Sequence, residues 1–467
     1  MRSIPTVALS LAVALAACGP STAAKHAQAL YDRGDYQGAV QAAPATSSDA
    51  ALVRVGLRAR LAAGDARGAV QAYAAWRAGR DDDRVALRLL AEDTLAQALT
   101  SPSTAVKVQA IEAIAAREIE ALADDVTLRL GDREEQVLAA AAVAVLRGHP
   151  QAPDILASML NAEDPIARAI AVRGMATKVG AHAADDLRNA LRDPDPRVRR
   201  AAIVGLAPLA DANTTSALIV IAAKDPDGQT RAAALTALGR GKRGRIDPVA
   251  HAALGDAFLG ARLAAIDLVA AQGDHAAIDK LLTDADAIVA IHAARAAHAW
   301  NPTGAAAAID RGLADADAAT RSGALNLAVA ALGKAAAGER AARVTADADV
   351  GVRLSAARVL ASVGQRDQAI AIWTATLDAR DGVAVEAQIA AAADLARAGE
   401  PRGDQALAGF ATSGEPAQRQ SAVASHAISG HITPGLVAAL ADSAPQVRVE
   451  AAATLWSLVR NADRAAD

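Results

Sequence analysis

Apolar residues recur along most of this chain with helical spacing, inside a block that returns. Val198, Ala202, Leu206 and Leu209 step by four, four and three residues and mark one helical face. Before them, Ala184, Leu187 and Leu191 share a second face, and Asp193-Pro194 closes that helix. The block Leu191-Arg-Asp-Pro-Asp-Pro-Arg-Val-Arg-Arg-Ala-Ala202 recurs from Leu160 and from Leu440. Weaker copies start near Leu99, Leu130, Ala223, Leu254, Leu282, Leu313, Thr345, Leu377 and Ala411. A period of about 31 residues over roughly twelve units indicates an array in which each unit packs only on its neighbours. The expected fold is all-α: an α-solenoid, a superhelical array of antiparallel helix pairs. With helices roughly 8–10 Å apart, such a stack reaches on the order of 100 Å.

The polar positions repeat as regularly as the apolar ones. Four residues after each anchor stands an acid: Asp164, Asp195, Asp227, Asp286, Asp317, Asp349, Asp381 and Glu415. A carboxylate there caps the free amides of a helix start and meets the positive end of its dipole. Pro165, Pro196, Pro416 and Pro445 follow at the first helical position, where proline loses no hydrogen bond. A third column is almost all alanine: Ala110, Ala141, Ala171, Ala202, Ala234, Ala265, Ala293, Ala324, Ala356, Ala422 and Ala451. A methyl group there lets neighbouring helices approach closely, and Gln388 breaks the column. A fourth column is basic: Lys107, Arg168, Arg199, Arg231, Arg262, Arg321, Arg353, Arg419 and Arg448. Such a column is either a stripe for an anionic partner or one side of an Asp–Arg ladder between adjacent units. Aspartate at matching frequency, and the fit of guanidinium to carboxylate, make the ladder the expectation.

The Asp-Pro-x-Val-Arg-x-x-Ala-Ala block resembles the HEAT repeat, in the short form also found in HEAT-like bilin lyases. The resemblance covers 99–460 and implies a scaffold fold without fixing a function. Ahead of it, Leu30-Tyr31-Asp-Arg-Gly34-Asp-Tyr36 and Leu61-Ala-Ala-Gly64-Asp, each followed by Gly-Ala-Val, resemble half tetratricopeptide repeats, placing such a segment at 27–98. Pro44 to Asp49 is a turn or short loop between them, and Asp81-Asp82-Asp83 caps the helix that follows. Residues 461–467 form a polar tail.

The first residues follow another logic. Arg2 precedes an apolar stretch from Val7 to Ala17, too short to span a membrane and typical of a secretory signal. Leu15-Ala-Ala-Cys18 resembles the lipobox of bacterial lipoproteins. That resemblance implies a signal peptide at 1–17, a lipid thioether on Cys18 and a short linker at 18–26. Gly19, in place of aspartate, implies sorting towards the outer membrane, with the body facing the periplasm. Cys18 is the only cysteine, so no disulfide forms within a monomer.

Composition then narrows the chemistry. Aromatic residues make up 2% of the chain and the net charge is −4, which gives no electrostatic reason to expect nucleic acid. None of the nine histidines is followed by glutamate, so the His-Glu pairs of HEAT-like hydroxylases are missing. His292 and His298 stand on different faces of one helix, and His426 falls in an apolar column as a satisfied core histidine. There is no Gly-x-Ser-x-Gly elbow, and Gly239-Arg-Gly-Lys-Arg-Gly-Arg245 lacks phosphate-loop spacing. Trp76, Trp300, Trp373 and Trp456 sit at helical positions and read as core rather than partner anchors.

No catalytic residue, metal ligand or cofactor site is assigned. The expected function is a non-catalytic, membrane-anchored interaction protein of the cell envelope with an unknown protein partner. A HEAT-like lyase-type enzyme or accessory subunit acting on a tetrapyrrole or a modified protein is the alternative. A nucleic-acid binder using the arginine column is a second and weaker one.

Overall fold

The computed structural model describes residues 20–209, 211–240, 246–379 and 381–465. They fall into two compact units, divided between Asp93 and Thr94. Among the described residues every regular element is helical.

The first unit holds α1 (Thr22–Asp32), α2 (Tyr36–Ala42), α3 (Ala50–Ala62), α4 (Ala66–Arg77) and α5 (Arg84–Ala98), the last running through the division. Two helix pairs repeat one device. Gly34 and Gly64 turn the chain at φ +79° and +80°, where a side chain would be strained. The next residues, Asp35 and Asp65, then accept from the amides of Gly38 and Gly68 to start the following helix. Asp83 caps α5 in the same way, through the amides of Val85 and Ala86.

In the second unit each repeat has a short first helix and a longer second one. The second helices are α6 (Thr104–Arg117), α7 (Glu135–Val145), α8 (Pro165–Gly174), α9 (Pro196–Leu206), α10 (Gly228–Gly239) and α11 (Leu259–Ala271). They continue as α12 (Ala287–Ala297), α13 (Ala318–Leu332), α14 (Val350–Ser362), α15 (Val385–Arg397), α16 (Pro416–Ser429) and α17 (Pro445–Arg464). Each packs on the next in unbroken succession, whereas the first helices pack chiefly on the second helices that flank them and little on one another. Helices that touch both neighbours form the tighter, inner layer. A contact that skips a helix agrees: Arg173 of α8 reaches Glu112 of α6 at 4.0 Å, which only a concave face permits.

The alanine column explains this closeness. Every alanine in it, from Ala110 to Ala451, is fully buried between adjacent inner helices. Gln388 is not its exception. The loop before α15 is three residues longer than its counterparts, with Gly382 at φ +76°, and α15 starts from Ala384. The buried alanine of that repeat is therefore Ala391, and Asp381 caps nothing. At this joint α14 and α15 touch least of all neighbouring inner helices, and Arg366–Asp378 packs on both.

The array does not run out to an open end. α17 packs on α6, so the second unit closes on itself after one turn. Gln109 Nε2 donates to Gln446 O at 3.4 Å, and Arg117 Nε donates to Ala453 O at 2.8 Å and to Ser457 Oγ at 2.9 Å. Arg460 Nη1 returns a bond to Arg117 O at 2.7 Å. These bonds advance along both helices in the same direction, the parallel sense expected of successive inner helices. An open solenoid leaves an apolar flank at each end and needs polar caps. Here each end covers the other.

Candidate functional site

The repeated polar chemistry lies in the short loops between first and second helices, and it builds upward from one aspartate. Asp193 accepts from the amide of Asp195 at 2.8 Å, which fixes the turn. Asp195 in turn accepts from the amide of Arg197 and starts α9. Asp164, Asp227, Asp286, Asp317 and Asp349 cap their helices likewise. Glu415 does so through a capping box with Gln418.

The basic column joins one loop to the next. Arg199 places Nη1 on the carbonyls of its own loop, Asp193 O and Pro194 O, at 2.9 and 3.0 Å. Its other edge grips Asp225 of the next repeat, Nε and Nη2 each at 2.8 Å. The same two-sided contact recurs at Arg168–Asp193, Arg231–Asp256 and Arg321–Asp347. Arg419 grips Asp442 with both donors, and Lys107 reaches Asp132 with its single ammonium. Among the described residues, Arg353 and Arg448 bond only their own loop carbonyls. In the repeat with the longer loop, Gln388 takes the arginine's place and donates to Ala379 O at 2.7 Å.

Sequence reasoning placed the ladder on the capping acids. The structure puts it two residues earlier, on Asp193, Asp225, Asp256, Asp347 and Asp442. Within the basic column, only Arg262 among the described residues bonds a capping carboxylate, Asp286, at 2.7 Å. The signal was present as the Asp-x-Asp spacing at 193/195, 225/227 and 347/349, in which the first aspartate reads as a helix stop.

The pairing governs the electrostatics. The Arg231 and Arg321 bonds hold Asp256 and Asp347 below the usual carboxylate range. Asp195 is lowered to about 2, chiefly by the bond from Arg197. A guanidinium occupied on both edges offers little charge to a phosphate.

The remaining candidates sit in the packing. His426 is buried with its ring nitrogens on Ala422 O and Thr433 Oγ1, and burial pushes its pKa down. His292 is lowered by burial and by Arg295, against the opposing Asp267. Trp76, Trp373 and Trp456 are buried. Trp300 stacks on His275 at 3.9 Å and donates to Asp279. Among the described residues no group of three metal-ligating side chains comes together, and no helix is long and apolar enough to cross a membrane. Cys18 and the basic loop positions 241–245 lie outside the described residues.

The first unit carries its own cavity of about 390 Å³, lined by Lys25, Gln28, Asp32, Arg54, Arg58 and Leu89. Two of its cations are already held, Arg54 by Asp83 at 2.8 Å and Arg58 by Asp93 at 2.9 Å. Arg58 also lies over the Tyr31 ring, 4.9 Å from its centroid.

Residues 152–239 match the family model of HEAT repeats. No curated protein matches the chain. Among solved structures, Kap121p is similar at 10% identity and a TM-score of 0.35, over 85% of this chain and 54% of that one. Kap121p bound to Ste12p gives 11% identity and a TM-score of 0.34, over 86% and 54%. The chain thus spans about half the length of those relatives. Residues 152–239 thus match HEAT repeats, within an all-α solenoid of helix pairs.

Proposed function

We propose that this chain is a lipid-anchored interaction scaffold of the cell envelope, tethered through Cys18 and presenting its repeat array to a protein partner in the periplasm. The observation that carries the reading is how the array spends its polar groups. Caps, turn aspartates and guanidiniums are committed to one another, loop by loop, so the array's polar chemistry serves to hold helices in place. Such an array recognises by shape and extended surface, with no reaction to run. The Leu15-Ala-Ala-Cys18 ending supplies the address, and Gly19 directs it towards the outer membrane. Two acyl signals or more anchor a soluble body stably where one does not, in keeping with the multiple chains that the lipobox resemblance implies.

Membrane fractionation of Cys18→Ser tests the anchor. The wild type is expected in the membrane fraction and the variant in the soluble envelope fraction. A variant that remains wholly with membranes removes the lipid from the proposal. Crosslinking in cells from inner-helix positions such as Val204 and Thr236, read by mass spectrometry, tests the scaffold. Recurrent capture of one envelope protein is expected, and capture of none above background removes the partner.

A further inference from the structure

Eleven joints between inner helices are crossed by the chain itself, which keeps the two neighbours at high effective concentration. The joint between α17 and α6 has no such link, and it is built differently. Arg448 holds the ladder position on α17, so its partner belongs in the loop before α6. That loop reads Thr100-Ser101-Pro102-Ser103, and Ser101 stands where other loops place their aspartate. The geometry is conserved without the charge: Ser101 Oγ accepts from the amide of Ser103 at 3.2 Å, as Asp193 does from Asp195. Among the described residues, Arg448 consequently bonds only its own loop, Asp442 O and Ser443 O.

The guanidiniums that do cross the seam bond uncharged oxygens. Arg117 donates to Ala453 O and Ser457 Oγ, and Arg460 donates to Arg117 O. Arg460 also lies over the Trp456 ring, 4.7 Å from its centroid. Two like charges therefore share the clasp; the Glu450 carboxylate acts on Arg117 through space, and each guanidinium bonds a carbonyl or hydroxyl where Arg199 gains a bidentate carboxylate.

We propose that the α6–α17 seam is a releasable latch, at which the array passes between a closed ring and an open solenoid while every repeat stays folded. The clasp is Arg117 and Arg460, and the serine at position 101 is what leaves it releasable. Closed, the inner wall is reached through the two rims. Open, it is reached from the side, by a partner too long or too bulky to thread.

Nitroxide labels on Gln109→Cys and Gln446→Cys, in the full chain with Cys18→Ser, read the latch by pulsed electron paramagnetic resonance. A short distance with a minor longer component is expected. Arg117→Ala should raise the open-to-closed ratio about tenfold, the effect of losing a charge-assisted pair of bonds. Ser101→Asp should suppress the long component by completing a rung to Arg448. Far-UV circular dichroism and the unfolding midpoint should stay near wild type in both. One short distance in all three proteins overturns the latch. A longer distance that appears only together with lost helicity overturns it too, because opening would then be unfolding.

Discussion

Two joints of the array solve one problem by different means. Between α9 and α10, Arg199 and Asp225 form a rung with side chains 9% and 2% exposed. Between α7 and α8 neither partner exists: Leu138 holds the arginine's place, and Ala162 the aspartate's. The loop amides there still need an acceptor, and Glu135 supplies it from the preceding inner helix. Its carboxylate accepts from the amides of Glu163 at 3.3 Å and Asp164 at 2.8 Å. Gln136 adds a bond to the Asp164 carboxylate at 2.6 Å. The repeat thus requires an acceptor at the loop and a bond across the joint, and it tolerates more than one source of each. A half rung does stand at Arg353, which is half-buried and bonds its own loop carbonyls; at the buried Arg199–Asp225 rung, a charge left without its partner costs more than the pair contributes.

The largest effect should come from making a half rung at that buried site. Arg199→Ala leaves the Asp225 carboxylate buried with only the amide of Asp227 to bond. The expected loss is about 3–5 kcal/mol in chemical unfolding. Arg199→Leu with Asp225→Ala copies the joint between α7 and α8 and should recover most of it. A double variant as unstable as the single one would mean that the rung itself, and not the orphaned charge, holds the joint.

Closeness comes next. Ala202 is fully buried in the column that sets the spacing of inner helices. Ala202→Leu should cost about 1–3 kcal/mol by overpacking. Leu138→Ala, at a half-buried position beside the rungless joint, should cost less. Equal losses would show that the column does not set the spacing.

How much of this was legible follows from what each residue does. The alanine column and the capping aspartates read directly, because burial between helices and capping are fixed by position within one repeat. The ladder acids were misplaced by two residues. Asp193 and Asp195 are equally good helix-start acids on paper, and only the path of the next loop decides which one faces Arg168. The compensation by Glu135 was invisible, since it depends on a side chain reaching across a joint. The longer loop before Ala384 shifted a register that the repeat length alone could not place. The closure of α17 on α6 left no periodic signal, because its bonds use Arg117 and Arg460, each outside the repeated columns. The lipobox reading rests on sequence alone.

A smaller loss, about 1 kcal/mol, is expected for Glu135→Ala, which removes the acceptor of two loop amides at a partly exposed site. Leu138→Arg with Ala162→Asp should restore it by installing a rung in that joint. Thermal unfolding of the three proteins gives the comparison. Failure of the rescue would mean the two solutions are not interchangeable.

Acid pH separates the two kinds of joint most gently. Asp256 and Asp347 titrate below their unfolded range because Arg231 and Arg321 bond their charged forms. Asp195 does so at about 2, held by Arg197. A carboxylate with a depressed folded pKa stabilises fully above its unfolded value, about 3.9 for aspartate, and loses that contribution as pH falls through the folded value. The unfolding midpoint should therefore decline between about pH 4 and pH 2, where the unfolded chain binds protons before the rungs do. Replacing the Arg231–Asp256 rung by leucine and alanine removes one such carboxylate, and should flatten the decline while leaving the midpoint at neutral pH close to wild type. An unchanged slope would place the acid sensitivity outside the ladder. Since the joint between α7 and α8 has no rung to lose, the same leucine–alanine pair already stands there as the natural control.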